Sequence, residues 1–413
     1  ITLLLEHGMK RGASDIHIEP HGALVWVRYR IHGSLHGLHK LPVSALEPLV
    51  AELKQRANLP EIATMPQESQ FSDTVEGQDL EIRINTMPVV GGERIVLHFS
   101  HHIPAVPTDL VGLGFWGNNL ALLQQTLSHV HGLVLVNGPK QSPRPAVLYA
   151  LLQLLRTASV SIATIEETIE RRIPGLNQTR VGDHSGAGYS GALHAALRQD
   201  INTVMLSDLP TKAVAADAVH AATAGHMILA GQHHASAAKG LIHLRHMGIE
   251  PYMLAAALRL SIGVRSVRRL CADCRQRVIP TPEQVARLEK IFGMTTPANK
   301  KRVHTLELQA KAAGIGRDQP LSTTESHVTH MWQRSEDGCE ACHHTGYRGT
   351  VSLVEVLPGG EYLYKALADH ATAANIQTTA LREGYIPLAL DGIIKSLRGE
   401  TAITEVMHEV GGI

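Results

Sequence analysis

Four cysteines stand in two pairs, Cys271-Ala272-Asp273-Cys274 and Cys339-Glu340-Ala341-Cys342. Each short turn can present two thiolates to one ion, so the pattern suits a tetrahedral zinc site. The 64 residues between the pairs, 275–338, imply a sizeable insertion that loops out. Four free or disulfide-bonded thiols are the plainer alternative. A thioredoxin-like redox pair is a weaker one, since neither pair opens a helix after a recognisable strand. A site closed by four thiolates holds its metal for structure and not for catalysis.

A second stretch has the position of a phosphate loop without its composition. The apolar run Leu133-Val134-Leu135-Val136 leads into Gly138-Pro139-Lys140-Gln141-Ser142-Pro143-Arg144-Pro145-Ala146 and then a helical pattern. A nucleotide-binding G-x-x-x-x-G-K-[ST] belongs at such a strand-to-helix turn. Counted from Gly138, the second glycine is Pro143, the lysine is Arg144 and the hydroxyl residue is Pro145. Backbone N–H groups grip phosphate in such a loop, and proline has none. Pro145 also lacks a hydroxyl for magnesium, and a guanidinium fork does not copy a compact ammonium. On these residues alone, an ordinary turn with a proline early in its helix is the simpler reading.

Histidine is abundant at 26 residues, and three adjacent pairs (His101-His102, His233-His234, His343-His344) invite a metal reading. Neighbouring residues point to opposite sides of a strand, or about 100° apart on a helix, so adjacent histidines rarely share an ion. Solvated surface accounts for most of them. His343 and His344 follow Cys342 closely enough to be replacement or outer groups at a zinc, although four cysteines already fill it. Arg268 and Arg269, just before the first pair, fit either a surface charge pair or a subunit contact.

These residues need a scaffold of several parts. At about 150 residues per domain, 413 residues make two or three domains. With 38 Lys+Arg against 38 Asp+Glu, the balanced charge argues against a strongly basic nucleic-acid binder or a polybasic membrane anchor. The best apolar run, Met253 to Val264, is too short for a membrane span and carries Arg259. The chain opens on Ile1 with no signal-peptide pattern, which leaves room for an upstream segment.

Strand-like runs at 23–30, 80–85 and 94–98, with helical spacing at 43–57, predict a small α+β domain over residues 1–100. Pro104 and Pro107 mark 101–109 as a linker. Strand candidates at 133–136, 160–165, 203–206 and 226–229 alternate with helices across 110–270, the signature of a mostly parallel α/β sheet. The four-cysteine module with its insertion occupies 271–345. A strand at 351–356 and then helices complete 346–413.

Taken together, these segments resemble the P-loop ATPases that drive type II secretion and type IV pilus assembly. Ala13-Ser14-Asp15-Ile16-His17-Ile18-Glu19-Pro20 matches the opening of that family's domain before the ATPase core. Val27-Arg28-Tyr29-Arg30-Ile31-His32-Gly33 matches V-R-x-R-I-D-G, with His32 in place of aspartate. Thr164-Ile165-Glu166-Glu167-Thr168-Ile169-Glu170 is similar to the Asp box, Leu197-Arg198-Gln199-Asp200 to the entry of Walker B, and Ala224-Gly225-His226-Met227-Ile228-Leu229 to the His box. Gly346-Tyr347-Arg348-Gly349 matches the exit from the zinc module. The resemblance implies a RecA-like P-loop core, with a cytoplasmic homo- or hetero-hexamer docked on an inner-membrane platform protein in a bacterium. It implies ATP and magnesium as ligands, no nucleic acid, no membrane insertion, and an upstream segment that carries the docking domain.

Carried over position by position, Gly138, Pro139, Lys140, Gln141, Ser142 and Arg144 make the nucleotide loop. Glu166, Glu167, Asp208, His226, His233 and Arg83 make the catalytic set, and Cys271, Cys274, Cys339 and Cys342 hold structural zinc. The departures gather at the chemistry. The end of Walker B, G-E-I-R-D in the family, reads Ser207-Asp208-Leu209-Pro210-Thr211, and Asp208 is one methylene shorter than the family glutamate. The arginine of P-Q-D-G-R is lost in Pro66-Gln67-Glu68-Ser69-Gln70, while that of L-R-V-S survives as Arg83. The resemblance with these losses implies weak or absent hydrolysis in a motor subunit, or a pseudo-ATPase acting as a structural or regulatory ring component. An unrelated zinc-dependent binding protein is a third class.

Overall fold

In the computed structural model the chain forms two units, Ile1–Val106 and Pro107–Ile413, each with its own core. The structure describes residues 1–31, 33–62, 64–99, 109–128, 131–140, 142–157, 159–182, 188–316, 318–369, 372–381 and 384–410, with only the backbone described at 34, 38, 78 and 79. Most of the expected linker, His101-His102 and Gln141 lie outside them.

The first unit contains helix α1 (Thr2–Lys10), strands β1 (Ala13–His21), β2 (Leu24–Ile31) and β3 (Ser34–Pro42), helix α2 (Leu46–Arg56), and strands β4 (Gln67–Val75), β5 (Gln78–Val89) and β6 (Gly92–Phe99). The strands form one antiparallel sheet in the order β3-β2-β1-β6-β5-β4. Strict alternation sorts its two faces. Ile16, Ile18, Val27, Tyr29, Ile82, Ile84, Ile95 and Leu97 pack with Leu5, Val50 and Leu53 from the helices. On the other face Glu19 lies between Arg28 (2.5 Å) and Arg94 (2.9 Å), and Asp15 between Arg30 (3.2 Å) and His98. The expected strands and helix are all present, with β1, β3 and β4 completing the sheet.

The second unit runs α3 (Gly117–Leu127), β7 (Gly132–Asn137), α4 (Arg144–Leu155), β8 (Ile162–Glu166), β9 (Asn177–Arg180), α5 (Gly188–Leu197), β10 (Thr203–Leu206), α6 (Lys212–Thr223), β11 (Met227–Gln232), α7 (Ala237–His246), α8 (Pro251–Ala257) and β12 (Leu258–Leu270). It continues through β13 (Gln276–Val278), α9 (Pro282–Ile291), α10 (Pro297–Ala312), β14 (Met331–Gln333), β15 (Tyr347–Pro358), α11 (Glu361–Ala368), α12 (Ala373–Ala380), α13 (Leu388–Leu397) and α14 (Ile403–Val410). Its main sheet has the order β15-β12-β7-β11-β10-β8-β9, parallel throughout except for the antiparallel β12–β15 pair. β7, β8, β10 and β11 are buried along their whole length, as unbroken apolar runs between helices demand. The run Met253 to Val264 divides into helix α8 and the start of β12, and no helix among the described residues is long and apolar enough to cross a membrane.

The insertion is more regular than its weak periodicity suggests. Helix α9 opens on a capping box, Thr281 with Gln284, and α10 on Thr296. Both pack toward α13 around Leu288, Val303, Leu306, Ile394 and Leu397. The fully buried Arg398 guanidinium fastens this layer, donating to the carbonyls of Ile315 (3.1 Å), Gln319 (2.9 Å), Pro320 (2.8 Å) and Gly316 and lying 3.5 Å from Glu307.

Candidate nucleotide edge and metal centre

Parallel strands bring their carboxyl ends to one edge of a sheet, where ligands bind. β7 ends there, and Gly138 to Pro143 turn the chain into α4. Gly138 is required by packing: a Cβ would stand 2.3 Å from Ser142 Oγ and 3.0 Å from the Val264 carbonyl. The turn is closed on itself, for Ser142 donates its N–H to the Pro139 carbonyl (3.1 Å) and Gly138 donates to Gln232 (3.1 Å). At the mouth of α4, Pro143 and Pro145 have no N–H, so only Arg144 and Ala146 can donate there. The Ser142 hydroxyl is buried with no partner among the described residues. Lys140 is exposed.

Arg144 turns across this edge. Its Nη2 lies 3.0 Å from His233 Nε2, and His233 Nε2 lies 3.8 Å from Asp208. Burial works against the Arg144 charge, while Asp208 and Glu170 support it. Burial and then Arg144 lower the His233 pKa, which keeps the imidazole available as acceptor, with Asp208 pulling the other way. The positions matching the loop lysine, the His box and the end of Walker B are thus joined to one another.

Of the three glutamates of the Asp-box stretch, Glu166 closes β8 and Glu167 lies just past the strand, and there the two part company. Glu166 is buried, taking hydrogen bonds from Tyr149 of α4, Thr164 (2.5 Å) and Gln178 (3.2 Å). Glu167 is exposed, and its N–H donates to Ser207 Oγ (3.3 Å). His226 does not join this group. It precedes β11, with Nδ1 on the Ile201 carbonyl (2.9 Å), and seven residue steps of extended chain at ~3.3 Å each put it about 23 Å from His233. Arg83 belongs to the first unit, on β5, paired with Glu68 at 2.5 Å.

His234, next to His233, packs against His243 of α7 with ring centroids 4.1 Å apart and the ring planes tilted by 44°. Burial and His243 push its pKa down to about 4. A pKa below the ordinary 6.5 means the unfolded chain binds the extra proton first, so this residue lowers stability as pH falls from 6.5 toward 4. His234→Asn is expected to gain stability relative to the parent chain across that window and to match it above pH 7. Melting temperatures measured between pH 4 and 8 test this.

The cysteines meet beyond the carboxyl end of β12, where the β12–β15 pair runs on past β7. Cys271 directly follows β12 and donates its N–H to Gly346 (3.0 Å), while Cys342 ends a short turn before β15. The four Sγ atoms all lie within 4.8 Å of one another, and no other such cluster occurs among the described residues. Neighbouring sulfurs are 3.7 Å (Cys271–Cys339), 3.8 Å (Cys274–Cys342) and 3.7 Å (Cys339–Cys342) apart. A disulfide needs about 2.05 Å. A tetrahedron of sulfurs about 2.3 Å from zinc has edges of about 3.8 Å, so the cluster fits that metal. Burial opposes ionisation of Cys342, but N–H donors from Cys339 and Gly346 hold its thiol down to about 6. His343 and His344 lie outside the cluster and take left-handed backbone (φ 50° and 62°) to turn the chain away. Arg268 and Arg269 pair within the chain, with Glu405 (2.5 Å) and Glu400 (3.7 Å).

A family model described as "Type II/IV secretion system protein" matches residues 1–408. The chain belongs to this family. Over its full length it is 32% identical to the "Protein transport protein HofB homolog" of Escherichia coli, covering 81% of that protein. It is 30% identical over 98% of its length to the "Type IV pilus assembly ATPase PilB" of Thermus thermophilus, and over 99% to the "Type II secretion system protein E" of Xanthomonas campestris. It spans 42% and 66% of those two proteins. Among solved structures, the Legionella pneumophila ATPase DotB (TM-score 0.63) and the pilus retraction motor PilT with bound ADP (TM-score 0.58) align with 99% of the chain and with 95% and 96% of their own. Each is 16% identical, a likeness of fold.

Sequence reasoning singled out Arg144 and His233 separately and missed their contact, which needs β7 and β11 side by side. It also missed Tyr149 as the cover of Glu166. A signal was present: an aromatic hydroxyl one turn into an otherwise aliphatic helix needs a buried partner.

Proposed function

We propose that this chain is a secretion-family motor subunit that binds ATP and magnesium weakly and hydrolyses ATP slowly or not at all. The observation that carries the reading is the turn at Pro143-Arg144-Pro145, where N–H donors are missing and Arg144 is spent on His233 instead of a phosphate. A loop that loses three or four charge-assisted contacts at ~1.5–3 kcal/mol each loses on the order of a thousandfold in affinity. Neither triphosphate nor magnesium fits the residues present well, because no hydroxyl stands at position 145 and the Ser142 hydroxyl is buried. Asp208, Glu167 and His233 are the groups left facing the edge.

The chain serves as a component of a homo- or hetero-hexameric ring on the cytoplasmic side of a bacterial inner membrane, against a platform protein of a secretion or pilus system. Where active subunits share that ring, this one acts as a structural or regulatory pseudo-ATPase. The balanced charge and the intact scaffold favour such a retained part in a ring. Calorimetric titration with Mg-ATP is expected to give no binding below millimolar concentration, and purified chain to give turnover at background. Micromolar binding with robust magnesium-dependent hydrolysis overturns the proposal.

A further inference from the structure

The segment that carries His233 is anchored from the far end of the chain. Residues 233–236 join β11 to α7, and Ser236 caps α7 by accepting the Lys239 N–H (3.2 Å). Arg265 of β12 donates Nε and Nη2 to the Ala235 carbonyl (3.1 and 2.8 Å) and Nη1 to Glu409 of α14 (3.3 Å). Beside it lies Glu355 of β15, 1% exposed, in register with Gly263 of β12. A Cβ on Gly263 would stand 2.3 Å from Glu355 Oε1, so glycine is what lets the carboxylate lie across the sheet. Oε1 accepts the N–H of Ala237, the first residue of α7, at 2.7 Å. Oε2 accepts the Tyr385 hydroxyl and, at 3.3 Å, the N–H of Leu388, the first residue of α13.

One buried carboxylate therefore closes two helix N-termini, α7 on the nucleotide edge and α13 among the C-terminal helices. Anions are favoured at both ends by the helix dipoles, and a desolvated carboxylate cannot release one set of donors without leaving charge unpaired. We propose that Glu355 is a positioning residue that ties the His233 segment to the C-terminal helices, so that a shift of α13 is felt at His233 and a shift of the His233 segment at α13. The tie is independent of nucleotide binding, and its test uses none.

Tyr385→Phe removes one donor of Glu355 at a position 152 residues beyond His233. In the full chain, hydrogen exchange is expected to quicken about tenfold at the amides of 235–239, the size of one lost hydrogen bond to a charged group, with exchange in β7 unchanged. Tyr362→Phe, which removes a hydroxyl bonded to the Pro358 carbonyl, is the control and is expected to leave 235–239 as they were. Glu355→Gln keeps the shape but turns an N–H toward the Leu388 N–H, and is expected to quicken exchange at both 235–239 and 388–391. Changes confined to 380–391 in Tyr385→Phe overturn the proposal, as does an equal rise throughout the second unit.

Discussion

Replacing Pro143 with Gly, Arg144 with Lys and Pro145 with Thr in one chain is expected to raise ATP affinity by about a thousandfold, from millimolar toward micromolar. Each change returns a different part. Pro143→Gly supplies a backbone N–H and lets the turn open, since Ser142 now spends its own N–H on Pro139. Arg144→Lys replaces a fork that reaches His233 at 3.0 Å by a point charge and frees the imidazole. Pro145→Thr restores both an N–H and the hydroxyl that magnesium needs. The scaffold around the turn is already in place: β7 is fully buried and α4 packs through Val147, Leu148, Leu151 and Leu152. Calorimetry on the triple variant measures the gain, and a variant that folds yet binds no ATP places the defect elsewhere. Turnover is expected to lag behind binding, because Asp208 is a methylene short of a glutamate and an ångström can cost about a hundredfold in rate. Adding Asp208→Glu is expected to recover part of that.

Stripping zinc from the cysteine cluster is expected to produce the largest loss of stability. Metal analysis of purified chain should find one zinc per chain. A strong chelator or Cys342→Ser should remove it and lower the melting temperature by several degrees. Structural zinc sites contribute on the order of 10 kcal/mol in isolated fingers. Here part of the fold survives the loss, since β12 and β15 pair from Leu260–Pro358 up to Leu270–Tyr347 without help from the metal. Damage should concentrate at residues 270–275 and 339–347, where the chain enters and leaves the cluster, and at the insertion held between them. A chain that purifies without zinc and melts unchanged in chelator refutes the assignment.

The cysteine cluster was the most legible feature because its chemistry is local. Two CxxC turns each fix a pair of sulfurs through backbone geometry, and only their meeting across residues 275–338 required the fold. The insertion was poorly legible because α9 is short, its apolar stripe limited to Val285, Leu288 and Ile291, and α10 spreads its apolar residues around its circumference. Its order comes from contacts with α13 and from Arg398, far past the insertion in the chain.

The same distinction divides the nucleotide edge. Composition and order alone determined the α/β class, the family, the proline-bound turn and the loss of the first-unit arginine, because each is a property of which residue occupies a position. Tertiary structure decided which of these residues meet. It set His226 and His233 at opposite ends of one extended strand, although both lie in one short motif. It turned Glu166, the last residue of β8, inward under Tyr149 and left Glu167, the first residue past the strand, in solvent. It put Arg144 on His233, a contact across parallel strands whose residues lie 89 positions apart and which no local pattern encodes.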